Sequence, residues 1–288
     1  MSSSLLGDYL QFLRSPDLTP PPRPYSLKQV IIQSLRLYSL HLLVLLVVGV
    51  LIGQIIDEGD SLLPDLFNEI PAEILFLFAV VAAPIVEELL FRLPLRGSLF
   101  NLGFSSSLFL GLGLVGFTPL RGAVLMLIVV VLTSLNLQLW RLRPPSRAIA
   151  QFYQRFPRLI FYTLTVLFGA VHITNYGTQV WLFLPLLVLP QVIIGLLFGF
   201  VRVRYGFAWA IGLHAFHNGC LLLPVFCLQL WGSAQLQQQG LENLDLNTLA
   251  WGDQLLMAGV GLYFMGGLIL CIVTAWGLVR EGRKKTTH

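Results

Sequence analysis

The chain is 288 residues long, 56% hydrophobic and 11% charged, with a mean hydropathy of +0.78. Soluble domains carry about 25% charged residues, so the composition excludes a soluble globular enzyme and indicates an all-α, multi-pass integral membrane protein. The net charge of +4 reads as membrane orientation and contact with anionic lipid, and no nucleic-acid partner is expected.

Residues 1–36 are expected to form a cytoplasmic, interfacial segment. Pro16, Pro20, Pro21, Pro22 and Pro24 make the part before Tyr25 extended and surface-lying, with a helical pattern starting at Ser26. Met1 to Asp8 lack the features of a cleaved leader, so the first apolar run is expected to be a retained span. A transmembrane domain follows over 37–280, then a basic tail over 281–288. Apolar stretches predict eight spans, at about 37–56, 70–93, 98–117, 123–140, 159–175, 181–201, 207–231 and 254–279, each near the roughly 20 residues a bilayer requires. With both termini placed in the cytoplasm, every one of the 18 Lys and Arg residues except Arg121 falls on the cytoplasmic side. The basic, aromatic stretch 141–158 reads as an interfacial segment on the inner leaflet. Cys220, Cys227 and Cys271 lack CxxC spacing and are odd in number, which argues against a disulfide framework or a zinc knuckle and leaves small core residues.

Few polar side chains lie deep in these spans: Glu87 and Glu88, then His172, His214, His217 and Asn218, with Asn175 near a helix end. Each ionisable group near the bilayer centre costs roughly 2.5 to 3.5 kcal/mol, so such a set points to function rather than space filling. His41 is expected to snorkel to the membrane surface, and His288 is terminal. Glu88 and Arg92 stand at i and i+4 with the acid first, the favourable order for an intrahelical ion pair. That leaves Glu87, about 100° round the helix, to face a cavity. His214 and Asn218 are also i and i+4 and share a face, with His217 to one side.

A carboxylate, imidazoles and a carboxamide suit hydrolysis of a peptide bond, which needs a base for water, donors for an oxyanion and an acid for the leaving amine. Glu87, His172 and His214 also make a two-histidine, one-carboxylate inventory for Zn2+ or another divalent ion. Proton or ion translocation is the other chemistry such groups perform.

Glu-Glu-Leu-Leu-Phe-Arg at 87–92, Phe-Gly-Ala-Val-His at 168–172 and His-Ala-Phe-His-Asn at 214–218 resemble the ordered motifs EExxxR, FxxxH and HxxxN. These mark the CPBP family (CAAX proteases and bacteriocin-processing enzymes, or Abi), which includes the type II CAAX prenyl endopeptidase. The resemblance spans about 70–223. It implies an intramembrane endopeptidase for membrane-associated protein substrates, with Glu87 as general base assisted by His172. His214 and Asn218 would hold the oxyanion, while Glu88, Arg92, Phe168 and His217 support the site. Metal-dependent and metal-free mechanisms are equally open. The stretch 98–140 looks like an inserted helical hairpin, and glycine follows the motif arginine only at Gly97. The rival readings are a non-proteolytic membrane scaffold on the same fold and a proton-coupled transporter.

Overall fold

The computed structural model describes residues 4–21, 25–54, 70–117, 146–176, 182–233 and 249–286. Among them the regular structure is helical, without a strand. In chain order the elements are α1 (Leu5–Arg14), α2 (Leu27–Gly53), α3 (Ala72–Leu77), a π-helical turn (Phe78–Ala82) and α4 (Ala83–Phe91). Then come a 3-10 turn (Leu93–Leu95), α5 (Leu99–Phe117), α6 (Arg147–Arg155) and α7 (Pro157–Ala170), which a second 3-10 turn (Val171–Asn175) extends. The last are α8 (Leu184–Leu187), α9 (Leu189–Arg204), α10 (Phe207–Trp231) and α11 (Trp251–Thr286).

Helix α9 is the buried axis of the bundle, with Leu197, Phe198, Phe200 and Val201 all but sealed from solvent. In a membrane, lipid tails satisfy apolar side chains as well as protein does, so helices associate through close packing. Glycines supply it here. A Cβ on Gly199 would stand 2.6 Å from the Phe161 ring of α7, and one on Gly169 of α7 would stand 2.4 Å from Val192 of α9. Gly206, at φ +120°, is the described residue with positive φ, and it turns the chain from α9 into α10.

Among the described residues, five helices are long and apolar enough to cross a membrane: Leu27–Gly53, Ala72–Leu95, Pro157–Asn175, Phe207–Trp231 and Trp251–Gly282. The expected spans at 98–117 and 181–201 correspond to α5 and to α8 with α9. The one at 123–140, and with it the second limb of the inserted hairpin, lies outside the described residues. Ser105 joins α5 to α4 by donating to the Leu89 carbonyl at 2.6 Å. The three cysteines are free, Cys271 buried and the others half-buried.

The N-terminal segment departs from expectation. Instead of lying extended on the surface, residues 5–14 form a helix whose Leu5, Tyr9, Phe12 and Leu13 pack into the core. These positions repeat at i, i+4, i+7 and i+8, an apolar helical stripe that the neighbouring prolines mask. Tyr9 meets Phe200 edge to face at 5.1 Å, and Tyr162 of α7 donates to the Leu13 carbonyl. Burial holds the Tyr9 phenol well above its ordinary range. His41 does not snorkel. It is buried, donating from Nδ1 to the Leu37 carbonyl and receiving the Tyr9 hydroxyl at Nε2, both at 2.8 Å.

Basic clusters that are distant in sequence gather along α1. Arg36 pairs with Glu281 at 2.8 Å, and both line a 230 Å³ cavity with Asp8, Tyr25 and Arg204. A 510 Å³ cleft beyond the end of α1 brings Arg96 and Ser98 beside Ala150 and Gln154 of α6. Tyr153 of α6 donates to the Pro94 carbonyl at 2.6 Å, its phenol pushed up to about 12 by burial. Its ring lies on Gly97, where a Cβ would stand 2.5 Å from it. Arg92 and Arg202 belong to a different environment. They are buried in the bundle, so they are structural cations rather than markers of a membrane face.

If glycine contacts set the α7 to α9 packing, Gly199→Ala should cost about 1–3 kcal/mol through overpacking. Gly212→Ala on α10, where nothing lies within 4 Å, should leave stability unchanged or raise it by up to about 1 kcal/mol. Thermal unfolding of the two variants in detergent compares them directly.

Candidate active site

Both carboxylates stand on α4, and the helix separates them. Glu88 points into the core and is fully buried, while the Glu87 side chain is 22% exposed. Successive residues on a helix differ by about 100° in direction, which is enough to send one inward and leave the other partly exposed.

The inward acid meets the expected partner. Arg92 Nε lies 3.7 Å from Glu88 Oε1, with both side chains at 2% exposure or less. The guanidinium covers the Phe168 ring, 3.7 Å from its centroid, and Nη2 donates to the Gly195 carbonyl at 3.3 Å. Gly195 is needed for this fit, because a Cβ there would stand 3.0 Å from Arg92 Nη2 and 2.9 Å from Phe168. Arg202 then donates from Nε to the Arg92 carbonyl at 3.0 Å, fixing the end of α4.

Histidines from two other helices complete the cluster. His172 donates from Nδ1 to the Phe168 carbonyl at 2.9 Å, which turns Nε2 toward Glu87 Oε2 at 3.9 Å. His214 donates from Nδ1 to Glu88 Oε1 at 3.0 Å and brings Nε2 to 3.6 Å from Glu87 Oε2. Its ring stacks on Phe198 at 4.5 Å. Glu87 Oε2 is buried and makes no hydrogen bond among the described residues.

Of the sequence candidates, Glu87, Glu88, Arg92, Phe168, His172 and His214 form one connected cluster. Asn218 joins at a distance, its Nδ2 donating to the Ala79 carbonyl in the π-helical turn at 2.8 Å. His217 turns to α2 and pairs through Nδ1 with the Tyr38 hydroxyl at 3.1 Å, a supporting contact between helices. Sequence reasoning missed Gly195, Phe198 and Arg202. The Gly195 to Gly199 spacing, two small residues one turn apart in an apolar run, was the available signal for the first.

The histidines hold their second nitrogens against acceptors, as metal ligands commonly do. Yet among the described residues no three of His, Cys, Asp and Glu stand together as a metal-binding group.

The buried pair makes a stability prediction. Arg92→Leu strands Glu88 in the core and Glu88→Gln strands the Arg92 guanidinium without its counter-charge, so each should cost about 3–5 kcal/mol. Denaturation of both variants in detergent checks the size of the loss.

The sequence profile of the type II CAAX prenyl endopeptidase Rce1-like family matches residues 70–220, the region that runs from α3 into α10 and carries the acid and histidine motifs. Neither a search of curated proteins nor one of solved structures finds a match. A match over more than half the chain, with the acid and histidine motifs meeting in one cluster, places the chain in the Rce1-like family of type II CAAX prenyl endopeptidases.

Proposed function

We propose that Glu87 is the general base of an intramembrane endopeptidase that cleaves membrane-anchored proteins of the CAAX type. The observation that carries this reading is Glu87 Oε2: buried, without a hydrogen bond, and facing the Nε2 atoms of two histidines whose Nδ1 atoms are already engaged.

A water beside Glu87 donates one hydrogen to the carboxylate and the other to His172 Nε2. That nitrogen is free to accept because the Phe168 carbonyl holds the Nδ1 hydrogen. Glu87 takes the proton as the water oxygen bonds to the scissile carbonyl carbon. His214, carrying a proton on each nitrogen, donates to Glu88 from Nδ1 and to the oxyanion from Nε2. Its charge together with that of Arg92 balances the two carboxylates. Collapse of the oxyanion breaks the C–N bond, and Glu87 returns its proton to the leaving amine. Glu88 and Arg92 remain in place throughout and hold the imidazole and the end of α4.

Orientation follows from charge. The basic clusters gathered along α1 make that end of the bundle the cytoplasmic one by the positive-inside rule. Both termini then lie in the cytoplasm, the side on which a prenylated protein tail arrives.

On a farnesylated CAAX peptide with a quenched fluorophore, Glu87→Gln should lower kcat by about 10²–10⁴-fold, the usual contribution of a general base. Its melting temperature should match the wild type. Cleavage by Glu87→Gln at the wild-type rate would remove the proposal. Water activation by Glu87 alone also predicts full activity in EDTA and no stoichiometric metal in the purified protein. Loss of activity in EDTA with recovery in Zn2+ would move that role to an ion held by Glu87, His172 and His214.

A further inference from the structure

Pro84 lies three residues before Glu87 and has no N–H. In the turn just before it, the Ala83 N–H reaches back five residues to the Phe78 carbonyl. The Ala79 carbonyl is therefore left without a partner on its own helix. The residue four positions on, Ala83, is committed to Phe78, and the residue five positions on is Pro84. A main-chain acceptor away from water needs a donor from elsewhere. Asn218 Nδ2 on α10 is that donor, at 2.8 Å. Gly219 beside it lies close to the turn, and a Cβ there would meet Val80 at an ordinary 3.6 Å contact.

The wide turn sets the aim of Glu87. One extra residue in a turn rotates everything beyond it by about 100°, the angle between neighbouring side chains. Closing the π-helical turn into an ordinary one would bring a different side chain to face His172 and His214. Helix α10 thus grips the helix that carries the acids at two points one turn apart on the same face. His214 holds Glu88, and Asn218 holds the turn.

We propose that Asn218 is a positioning residue: with Pro84 it maintains the π-helical turn that aims Glu87. The kinetic part of this proposal rests on Glu87 being the base; the stability part does not.

The test uses full-length protein in detergent, without substrate, and then with the farnesylated CAAX peptide. A side chain that acts only on an oxyanion adds nothing to the resting fold. Asn218→Ala should instead lower the melting temperature by several degrees, and Asn218→Asp, which keeps the shape and loses the donor, by at least as much. Pro84→Ala supplies the missing N–H, so in its background Asn218→Ala should barely move the melting temperature. In kinetics, Asn218→Ala should lower kcat about 100-fold with KM within about 2-fold, as expected for a misaimed base. Measured against Pro84→Ala alone, the loss should fall below about 5-fold, the mark of coupled sites. Unchanged melting of both Asn218 variants, or an equal kinetic loss in the two backgrounds, overturns the proposal. Should Pro84→Ala not fold, melting of the Asn218 variants decides the matter. If Glu87→Gln cleaves normally, the protease reading fails while the melting data still report on the turn.

Discussion

A guanidinium sealed inside a helical bundle constrains everything around it. Arg92, at 1% exposure, cannot be left without counter-charge and acceptors, because the penalty for an uncompensated buried charge is several kcal/mol. Its surroundings supply Glu88 on its own helix, the Gly195 carbonyl on α9 and the face of Phe168 on α7. Three helices are thereby tied to one point. Phe168 has two duties: its ring receives the cation, and its carbonyl fixes the ring of His172. The orientation of His172 thus follows from where the arginine must go.

The same constraint gives two adjacent glutamates different roles. Glu88 is consumed by Arg92 and His214, and its position is settled by charge compensation. Glu87, one step round the helix, stands apart from Arg92 and faces the Nε2 atoms of His172 and His214. The sequence order Glu-Glu-x-x-x-Arg contains this division in one turn of helix.

How much of this was legible follows from what each feature depends on. The ion pair of Glu88 with Arg92 and the shared face of His214 and Asn218 depend only on helical periodicity, so they could be read directly. The meeting of Glu87, His172 and His214 spans three helices, and residue chemistry could suggest it only because charge is so costly in a membrane. The docking of α1 was hidden by prolines on its C-terminal side, which drew attention away from the stripe of Leu5, Tyr9, Phe12 and Leu13. The burial of His41 depends on that docking and was lost with it. Arg202 reads as a topogenic charge in sequence, and only its hydrogen bond to the Arg92 carbonyl shows otherwise. The π-helical turn was the least legible of all. Pro84 signals a missing donor, but whether a helix answers with a kink, a wide turn or a partner from outside is decided by its neighbour.

That neighbour is α10, and its grip is suited to a membrane. With no water to drive apolar faces together, the register of one helix against another has to be specified by polar contacts and close-packed glycines. A single hydrogen bond leaves a helix free to pivot about it. Two bonds one turn apart, from His214 to a side chain and from Asn218 to a main-chain carbonyl, oppose both rotation and sliding. A site built from consecutive glutamates needs this restraint, since a rotation of one residue would exchange the acid that faces His172 and His214 for the acid that pairs with Arg92.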